Sequence, residues 1–287
     1  MNKGAGQGAG ASCSSGWPVY LGSILLEPNR WPDRDSSCFP YVTRMTREAG
    51  TNQGPPRTLV SEWMGRAASD GFDGVELWEN HALFASAAEL RALASGPLPI
   101  AVYSSYFDLE DEGKLRRELA QELVHSLGAR GVKYNFGHDN SRQAESIRNL
   151  RAWAEGLDPA VRLIDECHSG GLYAGPADAA AMLAELGDAR FVGTVHFKKV
   201  YDDGHSFVEW VKALGPRLGH VHAPRVAEYG MSAVREMVKI LQDHGFAGSI
   251  TVEFTTGIHW GAPQPDVETL YRNAVADLQM LKEAMST

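Results

Sequence analysis

Four side chains of types that bind divalent metals stand at the ends of separate apolar runs in the second half of the chain. They are Glu166 in VRLIDE, His196 in FVGTVH, His222 in LGHVH and Glu253 in SITVE. Runs rich in Val, Ile and Leu that alternate with helical segments are typical of buried parallel strands. Parallel β/α barrels place their chemistry at the carboxyl ends of such strands. The spacing therefore predicts one coordination site that collects all four side chains.

Strand-like and helix-like segments alternate along the rest of the chain, which predicts repeated βα units. Strands are predicted at residues 19–26, 74–78, 100–104, 131–135, 161–166, 191–196, 219–222 and 249–254. Helices are predicted from apolar residues spaced by three and four at residues 58–68, 85–94, 111–127, 142–155, 177–186, 207–214, 232–244 and 265–285. We therefore predict an α/β fold, a (β/α)8 TIM barrel, as a single domain over residues 17–287. A flexible extension rich in Gly and Ser is predicted at residues 1–16.

Composition and charge narrow the classes of partner. The 287 residues are 44% hydrophobic and 22% charged, which suits a large globular core. The net charge of -9 argues against a partner bound through its phosphates, so we expect a small-molecule substrate and no nucleic acid. Neither a signal peptide nor a run long enough to span a membrane is evident, so we expect a cytoplasmic protein without membrane contact. The three cysteines lack the spacing of a thiolate metal site.

The chemistry of the four side chains favours a metal, although each has a structural alternative. His220 and His222 share a strand face, so His222 is predicted to ligate the ion with His220 behind it; alternatively both are hydrogen-bonded core histidines. A buried carboxylate at Glu166 or Glu253 is costly without a cation, a proton or a salt bridge. Two carboxylates and two imidazoles suit one ion of Mn, Co, Zn or Fe(II) better than Mg.

Other polar and aromatic residues near predicted strand ends are candidates for contact with substrate. They are Glu76, Tyr106, Lys133, His168, Lys199, Arg225, His259 and Trp260. Glu76 and Lys133 could instead pair across the barrel, and Arg225 could form a surface salt bridge in place of binding an anionic group. A connection at residues 27–56 is unusually long for a compact domain and is predicted to form a lid or substrate wall.

The motifs GFDGVELWE, GVKYNFG, IDECHSGG, LGHVHAPR and ITVEF, in this order, resemble the xylose-isomerase-like TIM barrel superfamily of sugar and sugar phosphate isomerases and epimerases. The resemblance runs from about residue 19 to the end of the chain. It implies a metal held by a Glu, an Asp, a His and a Glu after strands five to eight, which correspond to Glu166, His196, His222 and Glu253. His196 replaces the usual Asp, and Lys199 replaces a supporting His, so metal choice and reactivity are expected to depart from the family norm.

The resemblance implies an isomerase or epimerase that acts on a keto-sugar or polyol. The metal would stabilise an enediolate while Glu166 and Glu253 exchange the proton as acid and base. A lyase or dehydratase acting on an oxidised sugar, glycoside or cyclic polyol remains an alternative. So do a non-catalytic sugar-binding barrel and an AP-endonuclease-like nuclease, the latter disfavoured by charge and by Ser104 and Ser105 where a histidine is expected. A homodimer is a further expectation, without a motif that defines its interface.

Overall fold

Eight parallel strands close a barrel in the computed structural model, which describes residues 16–27, 58–136, 140–167, 175–197, 204–258 and 265–287. Neighbouring strands follow each other in sequence, and the last strand pairs with the first. The predicted (β/α)8 barrel is therefore confirmed. The strands are β1 Val19–Gly22, β2 Gly74–Trp78, β3 Ile100–Ser104, β4 Gly131–Tyr134, β5 Arg162–Glu166, β6 Phe191–His196, β7 Leu218–His222 and β8 Ser249–Val252.

Nine α-helices lie among the described residues and surround the barrel. They are α1 Val60–Asp70, α2 Glu79–Leu83, α3 Ala87–Ala94, α4 Lys114–Leu127, α5 Gln143–Glu155, α6 Pro176–Leu186, α7 Phe207–Leu214, α8 Val226–Asp243 and α9 Val267–Met285. Short 3-10 helices occupy Ser23–Leu26, Asp111–Gly113, Asn140–Arg142 and Gly215–Arg217. None of the described helices is both long enough and apolar enough to cross a membrane.

The first strand is shorter than the prediction of residues 19–26. It ends at Gly22, and Ser23–Leu26 forms a buried 3-10 helix whose apolar side chains look like a continuing strand in the sequence. The hydroxyl of Ser23 accepts a hydrogen bond from the backbone N–H of Trp78 at 2.8 Å, which turns the chain toward the end of β2. A Cβ at Gly22 would lie 2.9 Å from the Cα of Glu253, so this close approach of β1 and β8 requires glycine.

Two helices also differ from the prediction. The helix predicted at residues 232–244 begins earlier, at Val226, with a break at Gly230, whose φ of 76° and ψ of 153° are not helical. The sequence pattern detects only the regular part after this break. The short helix α2 was not predicted, because five residues are too few to establish a helical period.

Alternate residues on the strands face opposite sides of the barrel wall, as expected for β-structure. Outward-facing side chains such as Leu21, Val75 and Val221 join the main apolar core under the helices. Inward-facing side chains from the first and middle residues of the strands form a separate apolar cluster. This cluster contains Val102, Ile164 and Val192, with Ala101 and the partly buried Tyr20. Polar inward-facing residues follow it toward the carboxyl ends, so the polar site stands on an apolar base.

Asp277 on α9 is a buried carboxylate that ties together two segments at the carboxyl-end face. It accepts hydrogen bonds from the backbone N–H of Ala227 and from the hydroxyl of Thr255, both at 2.8 Å. Ala227 lies in the first turn of α8, and Thr255 follows β8. Burial raises the pKa of Asp277 to about 6, although the hydrogen bonds partly offset this effect.

The substitution Asp277→Asn should flatten the pH dependence of stability. The pKa in the folded chain lies above the ordinary value of 3.8, so Asp277 contributes most to stability below about pH 4 and loses this contribution as the pH rises through 6. A shift of about two units corresponds to roughly 3 kcal/mol. Denaturant unfolding between pH 4 and pH 7 should therefore show a smaller decline for the variant than for the wild type.

The exposed carboxylate of Asp243, which pairs with Lys239 on α8, provides the control. Asp243→Asn should keep the wild-type pH dependence. Parallel stability curves for wild type and Asp277→Asn would contradict the assignment.

Candidate metal centre

The four residues predicted as metal ligands converge at the carboxyl-end face of the barrel. Glu166, His196 and His222 end β5, β6 and β7, and Glu253 directly follows β8. One ligand atom from each of them lies within 4.8 Å of the others. His196 and His222 are paired in the register of β6 and β7, which places the two imidazoles side by side. The barrel therefore brings these four side chains together at one point.

The donor atoms form a compact set. Nδ1 of His222 lies 3.3 Å from Nε2 of His196, 3.5 Å from Oε1 of Glu166 and 3.2 Å from Oε2 of Glu253. Nε2 of His196 lies 3.6 Å and 3.5 Å from the same two carboxylate oxygens. A tetrahedral divalent ion with bonds of about 2.0–2.2 Å holds its ligand atoms about 3.3–3.6 Å apart. The spacing of the donors fits such an ion.

One carboxylate oxygen in this set is buried without a hydrogen bond. Oε2 of Glu253 makes none within the part of the chain that the structure describes, although two imidazole nitrogens lie close to it. Burial opposes the charged form of Glu253, but the nearby His222 outweighs burial and holds the pKa of this carboxyl well below its usual value. A charged and unbonded oxygen beside two imidazoles is a suitable ligand atom for a cation.

The charges that face the barrel interior are unbalanced among the described residues around the site. Glu76, Glu166 and Glu253 are each at most 8% exposed, and Lys133, fully buried, is the cation beside them. With neutral imidazoles these four groups sum to two negative charges, which is costly away from water. Burial opposes protonation of His222, but the Glu253 and Glu76 carboxylates outweigh it and hold its pKa well above the usual value. A divalent cation would neutralise the same excess of negative charge.

Lys133 holds one oxygen of Glu166. Its ammonium donates a hydrogen bond to Oε2 of Glu166 and lies 3.5 Å from the hydroxyl of Tyr106 and 4.6 Å from the centre of its ring. Burial would lower the pKa of Lys133, but Glu166 outweighs burial and keeps this pKa well above its usual value. The ion pair of Lys133 is therefore with Glu166. The alternative prediction from the sequence, that Lys133 pairs with Glu76 across the barrel, is wrong.

Glu76 lies deeper than the four candidate ligands. It points inward from β2, is 4% exposed, and contacts the imidazoles of His220 and His222. Its oxygens lie 3.1 Å and 3.2 Å from Nε2 of His220 and Nε2 of His222. The three side chains form a second cluster with metal-binding groups, which shares only His222 with the first.

Of the remaining residues predicted to contact substrate, Arg225 is the one that the structure describes. Arg225 is half-buried at the start of α8 and has a φ of 50°, which is uncommon for a residue other than glycine. Its backbone N–H donates to the carbonyl of Phe254 at 2.6 Å, so it borders the loop after β8. His168, Lys199, His259 and Trp260 lie outside the described residues, as does nearly all of the long connection after β1.

Two residues that support the site were missed in the sequence. The hydroxyl of Ser249 lies 2.7 Å from Nδ1 of His220, and that of Thr251 lies 3.0 Å from its Nε2. Ser249 and Thr251 on β8 alternate with Glu253, which directly follows the strand, so the two-residue period of β-structure would have placed all three on the inward face.

Several solved structures share this fold. D-psicose 3-epimerase from Clostridium cellulolyticum H10 matches with a TM-score of 0.68 at 14% identity, over 93% of this chain and 99% of that one. The probable 3-DHS dehydratase AsbF from Bacillus anthracis matches with a TM-score of 0.59 at 14% identity, over 94% and 99%. The IolI protein, solved with a zinc atom, matches with a TM-score of 0.58 at 11% identity, over 93% and 96%.

These similarities establish the fold and do not select a reaction. Other matches include further sugar epimerases, an AP endonuclease of family 2 and a fusion protein with a xylose-isomerase-like TIM barrel. No protein-family model and no curated protein matches the sequence. The expected resemblance to xylose-isomerase-like TIM barrels is thus confirmed at the level of the fold.

Removal of one imidazole should weaken metal binding and the stabilisation that comes with it. An ion at about 100 times its Kd stabilises the folded chain by about 2.7 kcal/mol. We expect Zn, Co or Mn to raise the thermal unfolding temperature of chelator-treated wild type, and His196→Gln to lose most of this increase.

His244→Gln, which changes an exposed histidine at the end of α8, should respond to the ions like wild type. If the unfolding temperature of wild type is insensitive to all three ions, the four side chains do not form a metal site.

Proposed function

We propose that this protein is a divalent-metal-dependent enzyme that isomerises or epimerises a keto-sugar or related polyol by moving a proton on carbon. The observation that carries the proposal is the convergence of Glu166, His196, His222 and Glu253, with five donor separations between 3.2 and 3.6 Å. The shared fold with D-psicose 3-epimerase supports the choice of a sugar substrate. The acidic chain and its buried site also favour a small metabolite over a nucleic acid.

These four residues would hold the ion, which when bound supplies Lewis-acid chemistry at a substrate carbonyl. Zn, Co, Mn and Fe(II) suit the mixed nitrogen and oxygen donors better than Mg. His196 contributes a neutral ligand where the resembled family has a carboxylate. The resulting donor set carries one negative charge fewer, and Lys133 adds a positive charge next to it.

The two glutamates are suited to different parts of the proton transfer. Lys133 holds Oε2 of Glu166, whereas Glu253 has no ammonium among its contacts in the described chain. We assign Glu253 as the base that removes the proton from carbon. Glu166 is the acid that gives a proton back to the same carbon. Removal on one face of the carbon and return on the other would invert the centre, which is epimerisation. The ammonium of Lys133 would stabilise negative charge that develops on the substrate.

A lyase or dehydratase is the second candidate function, and Tyr106 is the observation that favours it. Its hydroxyl lies beside Lys133, and burial raises the pKa of this phenol, so that it keeps its proton. A buried proton donor next to Glu166 is suited to protonate a departing oxygen. Elimination and epimerisation both begin with removal of a proton from carbon. Elimination then breaks the carbon–oxygen bond at the adjacent carbon, whereas epimerisation leaves this bond intact. The fold match to a probable dehydratase supports keeping this alternative.

Loss of the carboxylate of Glu253 should abolish proton exchange at the substrate carbon. General acid–base groups contribute roughly 100- to 10,000-fold to rate, so we expect Glu253→Gln to slow exchange at least 100-fold. The measurement is deuterium incorporation into a panel of ketohexoses in deuterated water, followed by NMR with the metal-loaded protein. Glu89→Gln removes a different buried carboxylate, outside the barrel on α3, and should keep the wild-type rate. Full-rate exchange by Glu253→Gln would refute the assignment.

The substitution Tyr106→Phe should separate the two candidate functions. If Tyr106 protonates a leaving oxygen, the variant should lose elimination product by about 100-fold while it still exchanges deuterium into substrate. The same NMR assay on keto-sugars and cyclic polyols detects both outcomes. Epimerised product without elimination, in wild type and variant alike, would contradict the lyase alternative and support the epimerase.

A further inference from the structure

Glu76 occupies a place in the barrel where it can act on the metal centre without touching substrate. It is an inward-facing residue of β2, paired in register with Gly22 on β1 and Val102 on β3. Val102 belongs to the apolar base of the barrel. Its contact with His220, two residues before His222 on β7, places Glu76 on the side of the donor set away from the mouth.

Both carboxylate oxygens of Glu76 are used by imidazoles. Oε1 lies 3.2 Å from Nε2 of His222, and Oε2 lies 3.1 Å from Nε2 of His220. The other nitrogen of His220 is 2.7 Å from the hydroxyl of Ser249, and Thr251 lies 3.0 Å from Nε2 of the same ring. The carboxylate thus bridges the two histidines of β7, and the lower histidine is itself held in place by β8.

These contacts determine which nitrogen of His222 carries a proton. A carboxylate oxygen only accepts hydrogen bonds, so Nε2 of His222 must be protonated to bond to Glu76. In the neutral ring the lone pair is then on Nδ1, which faces His196, Glu166 and Glu253 at 3.2–3.5 Å. The opposite tautomer would break the bond to Glu76 and turn an N–H toward the donor set.

We propose that Glu76 is the positioning residue of the metal centre: it fixes the orientation and tautomer of His222 so that Nδ1 binds the ion, and it does not contact substrate. This inference rests on the proposed metal-dependent function. Carboxylates that hold the free N–H of a metal-bound histidine typically strengthen metal binding 10- to 100-fold. Glu76, His220 and Ser249 together extend this support from β2 across β7 to β8.

Glu76→Gln tests the proposal with little change in shape. A glutamine keeps one acceptor oxygen and replaces the other with an NH2 donor group, so one of the two imidazole N–H groups loses the oxygen that faces it. Chelator-treated protein is titrated with Co(II) by calorimetry, with the Co(II) absorption bands and metal analysis as further measurements. We expect one ion per chain in both proteins, a Kd raised 10- to 100-fold in the variant, and altered absorption bands.

Glu89→Gln is the matched control. Glu89 is 7% exposed and accepts hydrogen bonds from Ser61 outside the barrel, so its loss removes a buried carboxylate without affecting the site. This variant should bind Co(II) like wild type. Weakening of equal size in both variants would mean a general effect of destabilisation and would overturn the positioning role.

Three further results are distinguishable. Wild-type affinity and absorption bands in Glu76→Gln would overturn the role of Glu76 and leave the metal-dependent function standing. Two ions in wild type and one in the variant would make Glu76 a ligand of a second ion, with His220 and His222, and would also overturn it. A wild type that binds no divalent ion would contradict the proposed function, and the role of Glu76 with it.

A measurement on wild type covers the case in which Glu76→Gln does not fold. Nitrogen-15 NMR of the histidine-labelled protein with Zn(II) reports which ring nitrogen is protonated. We expect His222 to be protonated at Nε2 and metal-bound at Nδ1. The reverse assignment would overturn the proposal.

Discussion

The structure depends on one electrostatic constraint, the burial of three carboxylates beside the ammonium of Lys133 inside a closed barrel. Glu76, Glu166 and Glu253 share the interior with Lys133, and each is nearly inaccessible to water. Buried charge without compensation is strongly destabilising. A proton on His222 relieves part of this excess, as the raised pKa of this imidazole indicates. A divalent cation would relieve it fully and would meet the donors at suitable distances, which is why we favour a metal centre over a set of core ion pairs.

The barrel imposes the geometry of the site through its register and its two-residue period. Each candidate ligand comes from a separate strand, so the closure of β8 on β1 is as necessary as the side chains themselves. Gly22 permits the close approach that places Glu253, and Asp277 ties the segments that follow β7 and β8. Below the donors, Glu76 and His220 form a polar layer on an apolar base. The site is thus built in three levels, with the four candidate ligands nearest the mouth.

Much of this arrangement could be predicted from the sequence, because buried parallel strands are apolar runs whose last polar residue marks the carboxyl end. This rule predicts all eight strands and places Glu166, His196, His222 and Glu253 at one face of the barrel, as the structure has them. The partners of individual side chains could not be predicted. The contact of Lys133 with Glu166, and of Glu76 with two imidazoles, depends on barrel stagger, which no local pattern encodes. Similarly, the 3-10 turn after Gly22 has the composition of a strand.

The most direct test of the account is a crystal structure of the metal-loaded protein with anomalous X-ray scattering recorded on both sides of the absorption edge of the ion. The account predicts one anomalous peak per chain, within about 2.0–2.3 Å of Nδ1 of His222, Nε2 of His196 and oxygens of Glu166 and Glu253. An empty donor set, or a peak held by other residues, would contradict it.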